Sequence, residues 1–280
     1  MRIANLAGRA VIVVDDRAVD IAAASDGRHG PDPQSLFDDW DGFRAWAASA
    51  DTPPGVPFGT SDLAAPAPRP RQVFAIGLNY AEHAAEAGYP PDEMPVTFTK
   101  FPTSIVGPDH VVELPEGNVD WEVELVVVIG REGFRIARED AWSHVAGLTI
   151  GQDLSERVMQ LQGTLPQFSL GKSFPGFGPT GPWIVTPDEF DARDDLAISC
   201  TLSGERMQSS RTSMMLYDVP ELLARLSAVA TLLPGDLIFS GTPSGIGNRR
   251  TPPRFIGPDD VLVSEIEGIG SLVTRFTAVG

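Results

Sequence analysis

The sequence has a single cysteine, few basic residues and no long hydrophobic run. Cys200 lies in an apolar stretch, so an intrachain disulfide is excluded and a buried thiol is expected. With 21 Lys and Arg against 38 Asp and Glu, the net charge of −17 would repel a phosphate backbone and argues against a nucleic-acid partner. No apolar run approaches the ~18 residues of a membrane helix, and the start of the chain lacks a signal-peptide core. We therefore expect a cytoplasmic protein with no membrane partner.

Glycine and proline are abundant, at 28 and 25 residues, which indicates many turns and a strand-rich fold. Short apolar strands with few helices, and without a strand–helix–strand alternation, favour the α+β class. A Pro-, Ala- and Gly-rich stretch over 51–71 divides a small N-terminal domain and linker, 1–68, from a larger catalytic domain, 69–280. Apolar spacing and composition predict helices over 35–49, 78–88, 139–145 and 219–233, and a long loop over 160–182.

Carboxylates are concentrated in and near one strand-like run. Glu122 and Glu124 are two residues apart, so in a strand they point to the same face, roughly 7 Å apart along the chain. Asp153 would complete a set of hard oxygen ligands, which suits Mg²⁺ or Mn²⁺ better than zinc. The spacing alone does not decide, because Glu265 and Glu267 have it too, and alternating Glu and apolar residues are typical of any half-solvated strand.

A histidine and a glutamate lie three residues apart in a predicted helix. His83 and Glu86 would share one helix face, where the carboxylate can orient the imidazole and stabilise its charged form. Such a pair can act as a general base. A surface helix with incidental polar residues is the simpler explanation of the spacing alone.

Two glycine-containing segments fail the tests for nucleotide-binding motifs. Lys172 follows a glycine, but Pro166 occupies the position of the first glycine of a P-loop. The Gly-rich segment 235–247 is interrupted by Pro243 and lacks a following helix signal, so it does not match a dinucleotide fingerprint. We interpret it as a loop that offers backbone N–H groups and the Thr242 hydroxyl to a ligand. A nucleotide-binding oxidoreductase is therefore disfavoured.

The order of several short motifs resembles one family, fumarylacetoacetate hydrolase, from about residue 70 to the C-terminus. The motifs are Gly77-Leu-Asn-Tyr-Ala-Glu-His83, Phe98-Thr-Lys100, Asp120-Trp-Glu-Val-Glu-Leu125, Gly151-Gln-Asp-Leu-Ser-Glu-Arg157, Gly171-Lys-Ser-Phe174, Gly181-Pro-Trp183, the segment 235–247 and Glu265-Ile-Glu-Gly-Ile-Gly270. Two positions depart from the usual family pattern. Val158 stands where relatives often have an acid, and Phe101 stands where they often have proline after the lysine.

The resemblance implies a mixed β-roll core, a bound divalent metal and usually a homodimer. The metal is Mg²⁺ or Mn²⁺, with Ca²⁺ as a substitute in a crystal, and its ligands are Glu122, Glu124 and Asp153. Glu265 and Glu267 receive no metal role. The resemblance further assigns water activation to His83 and Glu86, oxyanion or substrate contacts to Lys172 and Gln160, and substrate binding to Thr242, Lys100 and Arg157.

The resemblance implies a hydrolase that cleaves a C–C bond in a small anionic β-diketo acid, of the acylpyruvate or fumarylpyruvate type that arises in aromatic catabolism. The metal would hold the enolate and the His83–Glu86 pair would activate water. An oxaloacetate decarboxylase, or a keto-acid isomerase or tautomerase, on the same metal site is the first alternative. A non-catalytic metal-binding relative is the second.

Loops 88–95 and 160–180 are expected to select the acyl group, and the segment 83–95 is expected to order as a lid when ligand binds. Three phenylalanines in the second loop either form an apolar wall of the pocket or anchor the loop to the core. They are Phe168, Phe174 and Phe177.

Overall fold

The computed structural model describes residues 1–51, 53–87 and 94–279. It is a strand-rich α+β structure, which confirms the predicted fold class. The strands are β1 (Arg2–Leu6), β2 (Arg9–Val14), β3 (Arg17–Asp20), β4 (Leu63–Ala64), β5 (Val73–Gly77), β6 (Val96–Thr99), β7 (Ile105–Val106), β8 (His110–Leu114), β9 (Val119–Asp120), β10 (Val123–Ile129), β11 (Val145–Gln152), β12 (Ser155–Glu156), β13 (Gly178–Val185), β14 (Ala197–Leu202), β15 (Glu205–Arg211), β16 (Leu237–Phe239), β17 (Val261–Ile266) and β18 (Gly270–Ala278).

The helices are short, and several 3₁₀ turns connect them to the strands. The α-helices are α1 (Ile21–Ala24), α2 (Trp40–Ala47), α3 (Ala81–Ala87), α4 (Arg157–Gln160), α5 (Phe168–Gly171) and α6 (Val219–Ser227). Within the described ranges, no helix is both long enough and apolar enough to cross a membrane. This finding does not test the predicted cytoplasmic location.

Two large sheets form the body of the molecule. The first has the order β3-β2-β1-β13-β11-β10-β16-β5-β6, with β4 on β1 and β7 on β13, and the second has the order β15-β14-β17-β18-β8. Strands β9 and β12 form a small third sheet. Most pairs are antiparallel, whereas β16–β5, β18–β8 and β13–β7 are parallel, so the core is mixed as expected.

Strand β10 lies in the middle of the first sheet and is buried on both faces. Its side chains alternate as a strand requires: Leu125 and Val127 enter the core between the two large sheets, whereas Val126 and Val128 enter a second core. Helix α2 covers that second core through Trp40 and its neighbours. The sheet position of β10 therefore removes water from any polar side chain near its beginning.

The N-terminal segment contributes strands to the first sheet. Strand β1 pairs with β13 through Arg2 opposite Val185, and β4 pairs with β1 inside the stretch interpreted as a linker. The domain boundary between residues 68 and 69 stays a prediction. Residues on both sides of it contribute strands to the same sheet.

Three predicted segments differ in detail from the structure. The helix expected over 219–233 ends at Ser227, because Leu232 forms a backbone bridge to Gly133 in another part of the chain. The helix expected over 139–145 is a 3₁₀ helix, Arg138–His144. The loop expected over 160–182 contains α5 and the first residues of β13.

Candidate active site

Three buried carboxylates meet where β10 begins and β11 ends. Strand pairing places Val123 opposite Gln152, so Glu122 and Glu124 lie beside Asp153, whose backbone N–H donates to the Glu122 carbonyl at 2.9 Å. One carboxylate oxygen of each acid lies within 4.8 Å of the others. All three side chains are buried. The structure therefore brings together the acids that the resemblance named as metal ligands, although their role stays a prediction.

Two buried lysines partly neutralise these acids. Lys172 Nζ donates to Glu122 Oε2 at 2.9 Å and to Asp153 Oδ2 at 2.6 Å. Lys100 Nζ donates to Asp153 Oδ1 at 2.8 Å and also to the Lys172 carbonyl oxygen. Removing either ammonium would reduce the counter-charge on a buried carboxylate, which is unfavourable. Both lysines are therefore part of the carboxylate cluster.

The two glutamates have opposite electrostatic environments. Burial alone would raise the pKa of Glu122, but the charges of Lys172 and Arg157 outweigh it and hold that pKa at about 2. Burial raises the pKa of Glu124 well above its usual range, and the negative charges of Asp153 and Glu122 raise it further. Among the described residues no Lys or Arg forms an ion pair with Glu124, and the charge of Lys172 offsets these effects on its pKa only in part.

Glu124 also provides the structural test of whether a cation fits. Its Oε2 accepts from the Gly241 backbone N–H at 2.8 Å, whereas no described residue donates to its buried Oε1. A buried carboxylate oxygen without a donor is costly, and a cation beside it would remove both that cost and the repulsion from Asp153. An all-oxygen donor set suits Mg²⁺ or Mn²⁺. The residues present therefore fit a hard divalent ion.

A glycine makes the close approach of the loop to Glu124 possible. Gly241 has a positive φ of 99°, and a Cβ at that position would lie 2.7 Å from the Asn79 Cβ. Another residue would therefore be strained and would displace the amide that donates to Glu124.

Arg157 lies between the carboxylate cluster and Asp120, a further buried acid to which the sequence analysis assigned no role. Its guanidinium contacts Glu122 Oε1 at 2.8 Å and Asp120 Oδ2 at 2.7 Å, and it donates to Gln160 Oε1 at 2.9 Å. Asp120 also accepts from the backbone N–H groups of Gly247 and Asn248, at 2.7 and 2.9 Å. Asp120 therefore fixes Arg157 to the Gly-rich loop, and its place in the Asp-Trp-Glu motif was the available signal.

Gln208 is a second buried residue of the site that no sequence pattern marks. It comes from β15 in the other sheet and is 1% exposed. Its Nε2 donates to Thr242 Oγ1 at 2.8 Å, while its Oε1 accepts from the Val123 backbone N–H at 3.1 Å. Thr242 in turn donates to the Val123 carbonyl at 2.9 Å. The predicted substrate contact at Thr242 is therefore held in place by a contact between the two sheets.

The histidine pair lies at the same cavity. His83 Nδ1 is 3.2 Å from Glu86 Oε2, and Glu86 accepts from the Gly245 backbone N–H at 3.3 Å. His83 is 6% exposed, so the simpler explanation, an incidental polar residue on a surface helix, does not describe it. A cavity of about 430 Å³ is lined by His83 and by five more of the predicted site residues, which are Glu122, Arg157, Gln160, Lys172 and Thr242. The other predicted site residues do not line it, and these are Glu86, Lys100, Glu124 and Asp153.

The predictions for the specificity loops have mixed outcomes. Phe168 lines the cavity, whereas Phe177 is fully buried in the main core and Phe174 packs on it, with ring centres 5.1 Å apart. Of the two alternatives left open for these residues, a place in the pocket wall describes Phe168, and anchoring to the core describes Phe174 and Phe177. Residues 88–93, which the lid and loop predictions include, lie outside the described residues.

Comparison with known proteins points to one family. The profile described as fumarylacetoacetate (FAA) hydrolase C-terminal matches residues 72–277. A mitochondrial oxaloacetate tautomerase from Bos taurus, FAHD2B, is 42% identical over 224 residues, which are 79% of this chain and 71% of the relative.

Solved structures give the same result. A protein from Mycobacterium smegmatis that is provisionally named HpcE is 52% identical, with a TM-score of 0.96 and complete coverage of both chains. A 5-carboxymethyl-2-hydroxymuconate delta-isomerase from the same organism is 31% identical, with a TM-score of 0.78 and complete coverage of both. Maleylpyruvate hydrolase from Sphingobium sp. SYK-6, in complex with manganese(II) and pyruvate, is 27% identical, with a TM-score of 0.80 and complete coverage of both.

Proposed function

We propose a function from the premise that this chain belongs to the fumarylacetoacetate hydrolase family, whose solved and curated relatives include hydrolases, isomerases and tautomerases. The chain is a divalent-metal-dependent hydrolase that cleaves a C–C bond in a β-diketo acid of the acylpyruvate type. The observation that carries the proposal is one cavity lined by a buried histidine, a metal-type carboxylate and several cationic or amide donors. Hydrolytic C–C cleavage needs a base and an oxyanion site at one place.

Glu122, Glu124 and Asp153 would hold Mg²⁺ or Mn²⁺. When bound, the ion supplies a Lewis acid and a template that orients the keto acid. The complex of a related maleylpyruvate hydrolase with manganese(II) and pyruvate supports this choice. The positive charges of Arg157 and Lys172 favour a small anionic substrate in a chain whose net charge is −17.

The histidine pair supplies the proton transfer. His83 accepts a proton from water, and Glu86, 3.2 Å from its Nδ1, orients the ring and stabilises the charge that it gains. The hydroxide forms a bond to the distal carbonyl carbon. Lys172 and the amide group of Gln160 donate to the oxygen on which negative charge develops. Arg157 accounts for the orientation of that amide, because it already donates to Gln160 Oε1.

Collapse of the oxyanion breaks the bond between the distal carbonyl carbon and its neighbouring methylene carbon. The electron pair of that bond passes into the 2-oxo acid fragment as an enolate, which takes up a proton. The products are a pyruvate-type acid and a second carboxylic acid. The step consumes one water and needs no oxidant or reductant.

Tautomerisation of oxaloacetate is the second candidate, and the curated relative of that name favours it. It requires proton transfer at carbon without attack by water. Decarboxylation of oxaloacetate is a third use of the same site. The His83–Glu86 pair supports hydrolysis, because hydrolysis needs a base that removes a proton from water.

The test is a turnover screen of metal-stripped protein with Mg²⁺ or Mn²⁺ added back. Acylpyruvates, fumarylpyruvate and oxaloacetate are the substrates, followed by diketone absorbance and pyruvate release. His83→Ala should abolish hydrolysis while metal binding persists, and His110→Ala, at an exposed histidine, is the control. Intact hydrolysis in His83→Ala would contradict the water-activating role, and turnover of oxaloacetate alone would favour the second or third candidate. The expected homodimer is a separate prediction, which analytical ultracentrifugation would test.

A further inference from the structure

The cavity is polar at one end and apolar over much of the rest of its wall. The polar end holds Glu122 of the carboxylate cluster, His83 and the donors described above. The remaining wall includes aliphatic and aromatic side chains from separate elements: Ile76, Val96, Phe98, Phe168, Leu216 and Ile246. A β-diketo acid placed with its 2-oxo carboxylate at the polar end would extend its acyl arm along this wall.

The aromatic part of the wall is held in place by packing. Phe98 and Phe168 meet edge to face, with ring centres 5.4 Å apart, and the Lys172 ammonium lies 5.1 Å from the Phe98 ring centre. The wall therefore begins directly beside the polar end. A charged group on the acyl arm would be desolvated against these rings without a hydrogen-bond partner among them.

Among the described residues, each Lys or Arg side chain that lines the cavity is either paired with a buried acid or exposed to solvent. Arg157 pairs with Asp120 and Glu122. Lys172 pairs with Glu122 and Asp153. Arg249 also lines the cavity but is exposed. An exposed charge in water stabilises an ion pair only weakly.

We infer that this cavity selects keto acids whose acyl arm is uncharged and apolar, and discriminates against arms that end in a carboxylate. The inference rests on the proposed function, since it takes the substrate to be an acylpyruvate. Leu216 is the position that best tests it. This residue lines the wall, is 37% exposed and lies outside the regular strands and helices, so a longer polar side chain can be accommodated.

The experiment compares hexanoylpyruvate with its analogue of equal length that ends in a carboxylate. We expect kcat/KM to be at least about tenfold higher for hexanoylpyruvate, since the apolar wall leaves the second carboxylate unpaired. Leu216→Arg should lower the ratio of the two kcat/KM values by about tenfold, because the new guanidinium can pair with the second carboxylate. Met214→Arg is the matched control, because Met214 is exposed, lies two residues away and does not line the cavity, so the ratio should stay as in the parent.

Binding separates failure of the inference from failure of the proposed function. The affinities of the metal-loaded protein for α-ketooctanoate and its ω-carboxylate analogue are measured by calorimetry. If neither diketo acid is cleaved but α-ketooctanoate binds more tightly, the hydrolase proposal fails and the selectivity stands. If the dicarboxylates bind or react better, the selectivity is wrong whatever the reaction. Loss of that opposite preference in Arg249→Met would then identify Arg249 as the anchor.

Discussion

Two pairs of glutamates in this chain have the same spacing and opposite environments. Glu122 and Glu124 are buried at the start of β10, whereas Glu265 and Glu267 are exposed at the end of β17. The buried pair lies beside Asp153 and two lysines. In the exposed pair, Glu267 accepts from Arg211 at 3.4 Å on the surface. Spacing within a strand therefore does not make a site.

Coverage of the sheet faces, rather than position within the sheet, explains the difference, because β10 and β17 are both interior strands. Strand β10 is central and covered on both faces, so a carboxylate at its start loses water and must be compensated by cations. Strand β17 buries Leu262, Ser264 and Ile266 on one face, whereas Glu265 on the other face is exposed, which leaves its glutamates hydrated. The same Glu-x-Glu spacing is therefore a hydrated surface when exposed, and an environment that favours a cation when buried.

Replacing one of the buried glutamates should give the largest effect in this comparison. Glu124→Gln removes the carboxylate that lacks counter-charge, and we expect metal-dependent turnover to fall by about 1,000-fold, as for loss of a principal electrostatic group. Glu265→Gln, the matched exposed change, should leave turnover unaltered. Steady-state assays with the best acylpyruvate of the screen measure both, and a comparable loss in the two variants would end the distinction between the pairs.

Breaking a buried ion pair should cost much more stability than breaking an exposed one. Lys172→Met leaves Glu122 and Asp153 without their shared ammonium, and we expect the metal-free protein to lose about 3 to 5 kcal/mol of unfolding free energy. Arg211→Met removes the surface partner of Glu267 and should leave the urea midpoint almost unchanged. Urea unfolding without metal is the measurement, and equal midpoint shifts would show that burial of the cluster has no energetic consequence.

Asp120 tests whether the buried glutamate pair depends on a positioning residue. Asp120→Asn weakens the hold on Arg157, which contacts Glu122, so we expect metal affinity to fall by about 10- to 100-fold. Asp195→Asn, which weakens an exposed contact with Arg211, is the control. Calorimetric titration with Mn²⁺ gives both affinities, and an unchanged affinity in Asp120→Asn would limit Asp120 to a structural role.

The two buried glutamates should contribute to folding stability over different pH ranges. Glu124 has a folded pKa above the ordinary 4.5, so the metal-free folded state keeps a proton that the unfolded chain releases. Its contribution to stability is complete below 4.5 and is lost as the pH rises toward the raised value. Glu122 has a folded pKa of about 2, so its contribution is present above 4.5 and is lost as the pH falls toward 2.

Metal binding should reverse the first of these trends, because the ion binds the deprotonated carboxylate. We expect the apparent metal affinity to rise by up to about tenfold per pH unit above pH 4.5, until Glu124 is ionised in the metal-free protein. Glu265→Gln should keep this slope. A flat affinity profile from pH 5 upward would mean that Glu124 is already ionised without metal.

Much of the site could be predicted, because its central strand has a clear local pattern. Alternation along β10 correctly placed Val123, Leu125 and Val127 behind the glutamates. The grouping of Asp153 with them came from the resemblance, since the pairing of β10 with β11 cannot be read from spacing alone. The fold class also followed from strand and turn signals.

What the sequence could not show depends on contacts between distant elements. Gln208 reaches Thr242 from the second sheet, and no local pattern marks it. Lys172 contacts Glu122 and Asp153 across separations of 50 and 19 residues in the chain, which no local pattern can indicate. The helix predicted over 219–233 was too long, since pairing of Leu232 with Gly133 outweighed its helical periodicity.

Direct Mn²⁺ binding to three proteins tests the central claim most closely. The parent chain, Glu124→Gln and Glu265→Gln are stripped of metal and titrated with Mn²⁺ at one pH, with free ion followed by electron paramagnetic resonance. We predict one tight site per chain in the parent and in Glu265→Gln, and loss of that site in Glu124→Gln. Tight binding that survives in Glu124→Gln, or that disappears in Glu265→Gln, would contradict a metal centre at the buried pair.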